Sequence, residues 1–197
     1  MLDGYNKLTK IDIMLSSVTM IQADKIVSSC LKGLLPRAKD VISRRFGIGR
    51  KSRETLESIG QDYGITRERV RQIENAALNK IRTIHGPALQ ETFDYLRSEI
   101  DGRGGLVKED SFLNNLGTSP KDANYFNFFL NLGSNFARLS ESDEFYSHWT
   151  TNGERANKVR SALAILHKEL SMDDLLSEND IVARLSAYLN ERTGEAT

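Results

Sequence analysis

The sequence predicts a mainly α-helical chain: a helix-turn-helix domain, then a winged helix (α+β, with a small β-hairpin), then C-terminal helices. Three observations carry this. Residues 55–74 hold two capped helical patterns separated by Gly64-Ile65. Residues 87–151 run in the order helix, strand, helix, helix, strand, strand. Between the two, the charge changes sign. Residues 36–82 hold 12 Lys and Arg against 6 Asp and Glu, a balance of +6, whereas residues 87–150 hold 5 against 10, a balance of −5. The expected divisions are an N-terminal helical segment (1–35), the helix-turn-helix domain (36–86), the winged helix (87–151) and a C-terminal helical segment (152–197).

The elements follow in chain order. Residues 1–34 read as helical, with apolar Ile11, Met14, Leu15, Val18 and Ile21, then Ile26, Val27, Cys30 and Leu31, and their expected role is packing against the next domain. Pro36 suits the first turn of a helix bearing Ala38, Val41, Ile42 and Phe46, and Gly47 and Gly49 break it before a basic loop. Thr55 caps a short helix that turns Leu56 and Ile59 inward. Gly64 supplies the left-handed residue that ends it, Ile65 plugs the turn, and Thr66 caps a second helix. There Val70, Ile73, Ala77 and Ile81 recur at helical spacing as a buried stripe. Glu68, Arg71, Gln72 and Asn75 fall on the opposite face, with Arg67 flaring out at the first turn. That face suits the major groove, because Arg pairs bidentately with guanine, Gln with adenine, and Glu accepts from the cytosine amino group.

Gly86-Pro87 marks the next expected boundary. Beyond it Leu89, Phe93, Leu96 and Ile100 share one helical face, and residues 101–105 form a glycine-rich turn before a short strand at Leu106-Val107. Helices are expected over 109–116 and 120–132, the second with Tyr125, Phe128, Phe129 and Leu132 inward. Strands are expected over 136–139 and 145–150, around an acidic turn at 140–144. Residues 153–170 and 173–190 are further helical patterns, and 192–197 reads as a frayed tail.

The segment from about Leu35 to Arg82 resembles region four of the primary sigma factors of bacterial RNA polymerase. The resemblance rests on Arg44-Arg-Phe-Gly-Ile48, Thr55-Leu-Glu-Ser-Ile-Gly60, Thr66-Arg-Glu-Arg-Val-Arg-Gln-Ile-Glu74, Ala77-Leu and Lys80-Ile-Arg82. It implies a domain that binds the promoter element about 35 base pairs upstream of the start site and rests on the flap of the polymerase β subunit. Carried over by motif position, Arg67, Glu68 and Gln72 are implied to touch bases. Arg45, Arg69, Arg71 and Lys80 are implied to contact phosphate or polymerase. The helix around Val41, Ile42 and Phe46 is implied to help form the flap-facing surface; on the alternative reading any of the three is a plain core residue, Phe46 above all. Residues 87–151 are similar, in element order and in the aromatic last strand with Trp149, to the HARE-type winged helix of the polymerase δ subunit.

Other chemistry is not expected. His85, His148 and His167 lack His or Cys neighbours at metal-ligand spacing, so neither a metal nor a cofactor is expected. The turn at 102–105 lacks the Lys-Ser/Thr of a phosphate loop. No acid/base pair stands out, and the chain is not expected to be an enzyme, although HARE-type modules also accompany nucleases. Phe126, Phe128, Phe129 and Trp149 sit in acidic surroundings that favour a core role over base stacking. One cysteine, Cys30, fits a reducing cytoplasm, in a bacterial or phage-infected cell, and no apolar run or export signal points to a membrane partner. No segment resembles the sigma domain that melts DNA near the start site. The expected function is therefore that of a sequence-specific, sigma-like DNA-binding transcription protein that also contacts core RNA polymerase. The alternative is a polymerase-binding protein that mimics region four, with minor DNA contact.

Overall fold

Thr55 and Thr66 take the positions that the sequence assigns them in the structure, a computed structural model that describes residues 23–50, 52–117, 119–170 and 176–191. The expectations for residues 1–22, for the start of the last helical pattern at 173–175 and for the tail at 192–197 lie outside the described residues. The chain forms two compact units that interleave in sequence: residues up to 94 together with 112–133, and residues 95–111 together with 134–197.

In the first unit, helix α1 is described over residues 23–32 and buries Ala23, Val27, Cys30 and Leu31, one stripe at helical spacing. Helix α2 (Pro36–Phe46) starts on proline, whose fixed φ suits a first turn, and stops at Gly47 with φ of 65°. Helix α3 (Leu56–Tyr63) is capped by Thr55, whose hydroxyl accepts from the Ser58 amide at 3.1 Å. It ends at Gly64, φ 61°, where the Ile65 amide reaches back to the Gly60 carbonyl at 2.9 Å. Helix α4 (Arg67–His85) is capped in turn by Thr66, which accepts from the Arg69 amide at 3.2 Å. Val41, Ile59 and Val70, one from each of α2, α3 and α4, are fully buried together, with Leu56, Tyr63, Ile65 and Ile73 packed around them.

The backbone does not leave helix at Gly86. That residue is right-handed helical (φ −48°, ψ −49°), and a 3-10 turn over Gly86–Leu89 runs straight into α5 (Gln90–Asp101). Pro87 sits in the first turn of the new segment, where a missing N–H is harmless, so the Gly-Pro pair tightens the path and does not end it. Helices α6 (Glu109–Leu116) and α7 (Pro120–Leu132) fall where expected. Within the first unit α7 lies against α2 and α4.

The second unit holds three short antiparallel strands, β1 (Leu106–Lys108), β2 (Ala137–Leu139) and β3 (His148–Thr150), in the order β1-β3-β2. Trp149 is opposite Val107 on one side and Arg138 on the other, and is itself buried. Element order and strand order together are the connectivity of a winged helix. The last strand is shorter than the sequence suggested. Residues 145–147 stay outside the ladder because Phe145 closes a tight turn, exchanging hydrogen bonds with Ser142 at 2.9 and 3.2 Å. Helix α8 (Gly153–Glu169), capped by Asn152, packs on α9 (Glu178–Glu191).

Candidate nucleic-acid interface

The two faces of α4 have opposite character. Val70, Glu74, Ala77, Leu78 and Ile81 are buried, whereas Arg67, Glu68, Arg69, Arg71, Gln72 and Asn75 are exposed. All three residues implied to touch bases therefore stand on the open side of the first two turns. At Gly60 an added Cβ would lie 2.7 Å from the Ile65 carbonyl oxygen, so only glycine lets α3 come this close to the turn that launches α4.

The exposed side chains are already ordered among themselves. Arg71 forks onto the Glu68 carboxylate with two hydrogen bonds of 2.8 Å. This contact holds the Glu68 carboxyl below the usual carboxylate range, so it is presented as an acceptor. The Arg69 guanidinium donates to the Gln72 side-chain oxygen at 3.0 Å, and Gln72 in turn hydrogen-bonds the Glu68 carboxylate. Both pairs are exposed and exchangeable.

The four residues implied to contact phosphate or polymerase are not equivalent. Arg69 and Arg71 are on the open face of α4. Lys80 is exposed, and its ammonium donates to the Gly33 carbonyl at 2.8 Å. Arg45 is turned inward. It pairs with buried Glu74 at 3.3 Å and donates to the Glu54 carbonyl at 2.6 Å, tying α2 to α4 and to the loop before α3. The sequence does carry a signal for that pair: Glu74 interrupts the apolar stripe between Val70 and Ala77, and a carboxylate there requires a partner.

Arg44 is the organising residue that sequence reasoning missed. Its side chain is 11% exposed and bonds Glu54 at 2.6 to 3.1 Å, with Asp62 as a further partner. Its pKa is raised, first by the Glu54 hydrogen bonds and then by Asp62, and the Glu54 carboxyl is correspondingly lowered by Arg44. Around it Asp40 receives Tyr63 Oη at 2.8 Å and Arg50 at 2.7 Å, and Arg37 lies over the Tyr63 ring at 4.6 Å. The network joins α2, the basic loop and α3, so several charges of the basic segment brace the reading head and are not free for a ligand.

Two relationships bear on this face. Residues 30–83 match the family model described as Sigma-70, region 4. Over 58 residues the chain is 43% identical to "RNA polymerase sigma factor RpoD" of Neisseria gonorrhoeae, a stretch that covers 29% of this chain and 9% of that protein. Residues 30–83 are thus a sigma region-four-like, helix-turn-helix, DNA-binding domain of the transcription-related kind. No described helix is long and apolar enough to cross a membrane.

Proposed function

We propose that the region-four-like domain at residues 30–83 reads promoter-type duplex DNA through the first two turns of α4, and that the chain also contacts core RNA polymerase. The observation that carries the DNA reading is the exposure of Arg67, Glu68 and Gln72 together, on a helix whose other face is buried in the domain. Arg67 supplies a guanine-reading fork, Gln72 an adenine-reading amide and Glu68 an acceptor for the cytosine amino group. Arg69 and Arg71 bring positive charge to the same turn, where release of counterions from phosphates adds affinity that falls with salt. The matched stretch spans region four alone, so promoter melting is not part of the proposal.

The test begins with selection of a preferred duplex from a random library. On that duplex Arg67→Ala and Gln72→Ala are each expected to weaken binding by about 1–3 kcal/mol and to relax base preference at one position. Equal losses on preferred and random duplexes would reject base reading and leave a phosphate role. Pull-down of purified core polymerase, with and without nuclease treatment, tests the second part. Retention that vanishes on nuclease treatment would make the polymerase contact indirect.

A further inference from the structure

By element order α7 is the third helix of a winged helix, the one that such folds send into a groove, yet it has no face free for reading. Tyr125, Phe126, Phe128, Phe129 and Leu130 are all buried along its length, and only Pro120 and Lys121 in its first turn are exposed. It is seated on the region-four-like domain. Phe128 meets Phe46 of α2 edge-on, with ring centroids 5.4 Å apart. Asn124 donates to the Gly47 carbonyl at 3.2 Å. At the far end the Arg82 guanidinium, from α4, donates to the Asn131 and Leu132 carbonyls at 2.7 Å each. Those are carbonyls of the last turn, which have no partner within the helix, so α4 caps α7.

Two features make this seat separable from the head beneath it. The fully buried cluster of Val41, Ile59 and Val70 draws on α2, α3 and α4 alone, so the helix-turn-helix keeps that cluster without α7. The ends of α7 are held by polar contacts, each of modest net strength: the Asn124 and Arg82 bonds, and Asp24, which accepts from Tyr125 Oη at 2.5 Å and pairs with Lys121 at 3.1 Å. We propose that α7 is a built-in partner helix: it fills in cis the α2–α4 face of the domain, and a helix of core RNA polymerase that engages this face must first displace it. The proposal rests on the polymerase contact put forward above. The displacing helix needs an aromatic side chain to replace Phe128 against Phe46, and carbonyl or carboxylate oxygens for Arg82. Helix α7 is then a ligand in cis for the reading head and takes no part in reading DNA.

The test compares the full chain with its Arg82→Ala/Asn124→Ala variant, which loosens both ends of α7 and leaves the α4 reading face intact. Purified core polymerase is expected to bind the variant about tenfold or more tightly than the unaltered chain, with binding to the selected duplex unchanged. Hydrogen exchange of the unaltered chain is expected to show α7 amides exchanging faster in the polymerase complex than alone. This second measurement decides the matter by itself if the double variant fails to fold. Equal polymerase affinity together with undiminished α7 protection would overturn this inference and leave the polymerase contact standing on another surface. Binding to neither chain would overturn the polymerase contact and this inference together.

Discussion

Gly60→Ala sets two effects of opposite sign against each other. In a helix interior alanine is favoured over glycine by about 1 kcal/mol, so propensity alone makes the variant more stable. The position forbids it. The new methyl would lie 2.7 Å from the Ile65 carbonyl oxygen, and 3.5 Å from the Arg67 nitrogen. Backbone, not a yielding side-chain tip, must then move by about 0.3 Å or more to reach even a crowded contact. The same turn is closed by the Ile65 amide on the Gly60 carbonyl at 2.9 Å, so the retreat also lengthens a hydrogen bond that ends α3. Against rigid backbone the overpacking falls in the upper part of its usual range, about 2–3 kcal/mol, and less the ~1 kcal/mol of propensity the expected net loss is about 1–2 kcal/mol. For a chain of this size that is about 2–8 °C in Tm. Gly153→Ala, in the first turn of α8 with nothing within 4 Å of the added methyl, is the control and should be neutral or slightly stabilising. Thermal and urea denaturation read both. A Gly60→Ala protein as stable as the parent would refute the tight α3–turn approach.

Arg44→Met should cost about 1–3 kcal/mol in urea denaturation, because it removes the charge-assisted bonds to half-buried Glu54, exposed Asp62 adding little; a loss under 0.5 kcal/mol, roughly the scatter of surface substitutions, would mean that the network does not brace the head. Acid should act through the same contact. The Glu54 carboxyl is depressed in the folded state, so its contribution is complete above the unfolded carboxylate pKa and fades as pH falls through the folded value. The stability of the parent should therefore drop below about pH 4, and the drop should be shallower in Glu54→Gln; identical acid profiles would contradict the assignment. Arg71→Ala should relax base preference where Glu68→Ala does, because Arg71 orients the Glu68 carboxylate. If instead the slope of log K against log salt falls by about 1, Arg71 contacts a phosphate.

Residues 55–74 illustrate what can be read directly. Caps at Thr55 and Thr66, the left-handed Gly64 and the stripe of Val70, Ala77 and Ile81 act within a few residues of each other, so local rules suffice to place both helices and to tell the buried face of α4 from the open one. The exposure of Arg67, Glu68 and Gln72 follows from that phase alone. The β-hairpin was legible more coarsely, since Phe145 has the same aromatic character whether it pairs in a ladder or closes a turn with Ser142.

Charge alone did not reveal the partner of each cation. Arg45 has the composition of a phosphate contact, and only the folded chain, which brings Glu74 to it across 29 positions, turns it inward. Arg44 lies 10 and 18 residues from Glu54 and Asp62, separations at which no periodicity links two side chains. The seating of α7 is the longest-range case, with Asn124 reaching Gly47 across 77 positions and Arg82 reaching Asn131 and Leu132 across about 50. Its aromatic pattern announced a buried helix but not the surface that buries it. The sequence by itself determined which residues of α4 face outward, because helical phase and capping are local. Only the tertiary structure decided which cations brace the head and which helix covers the α2–α4 face, because those choices depend on distances between segments far apart in the chain.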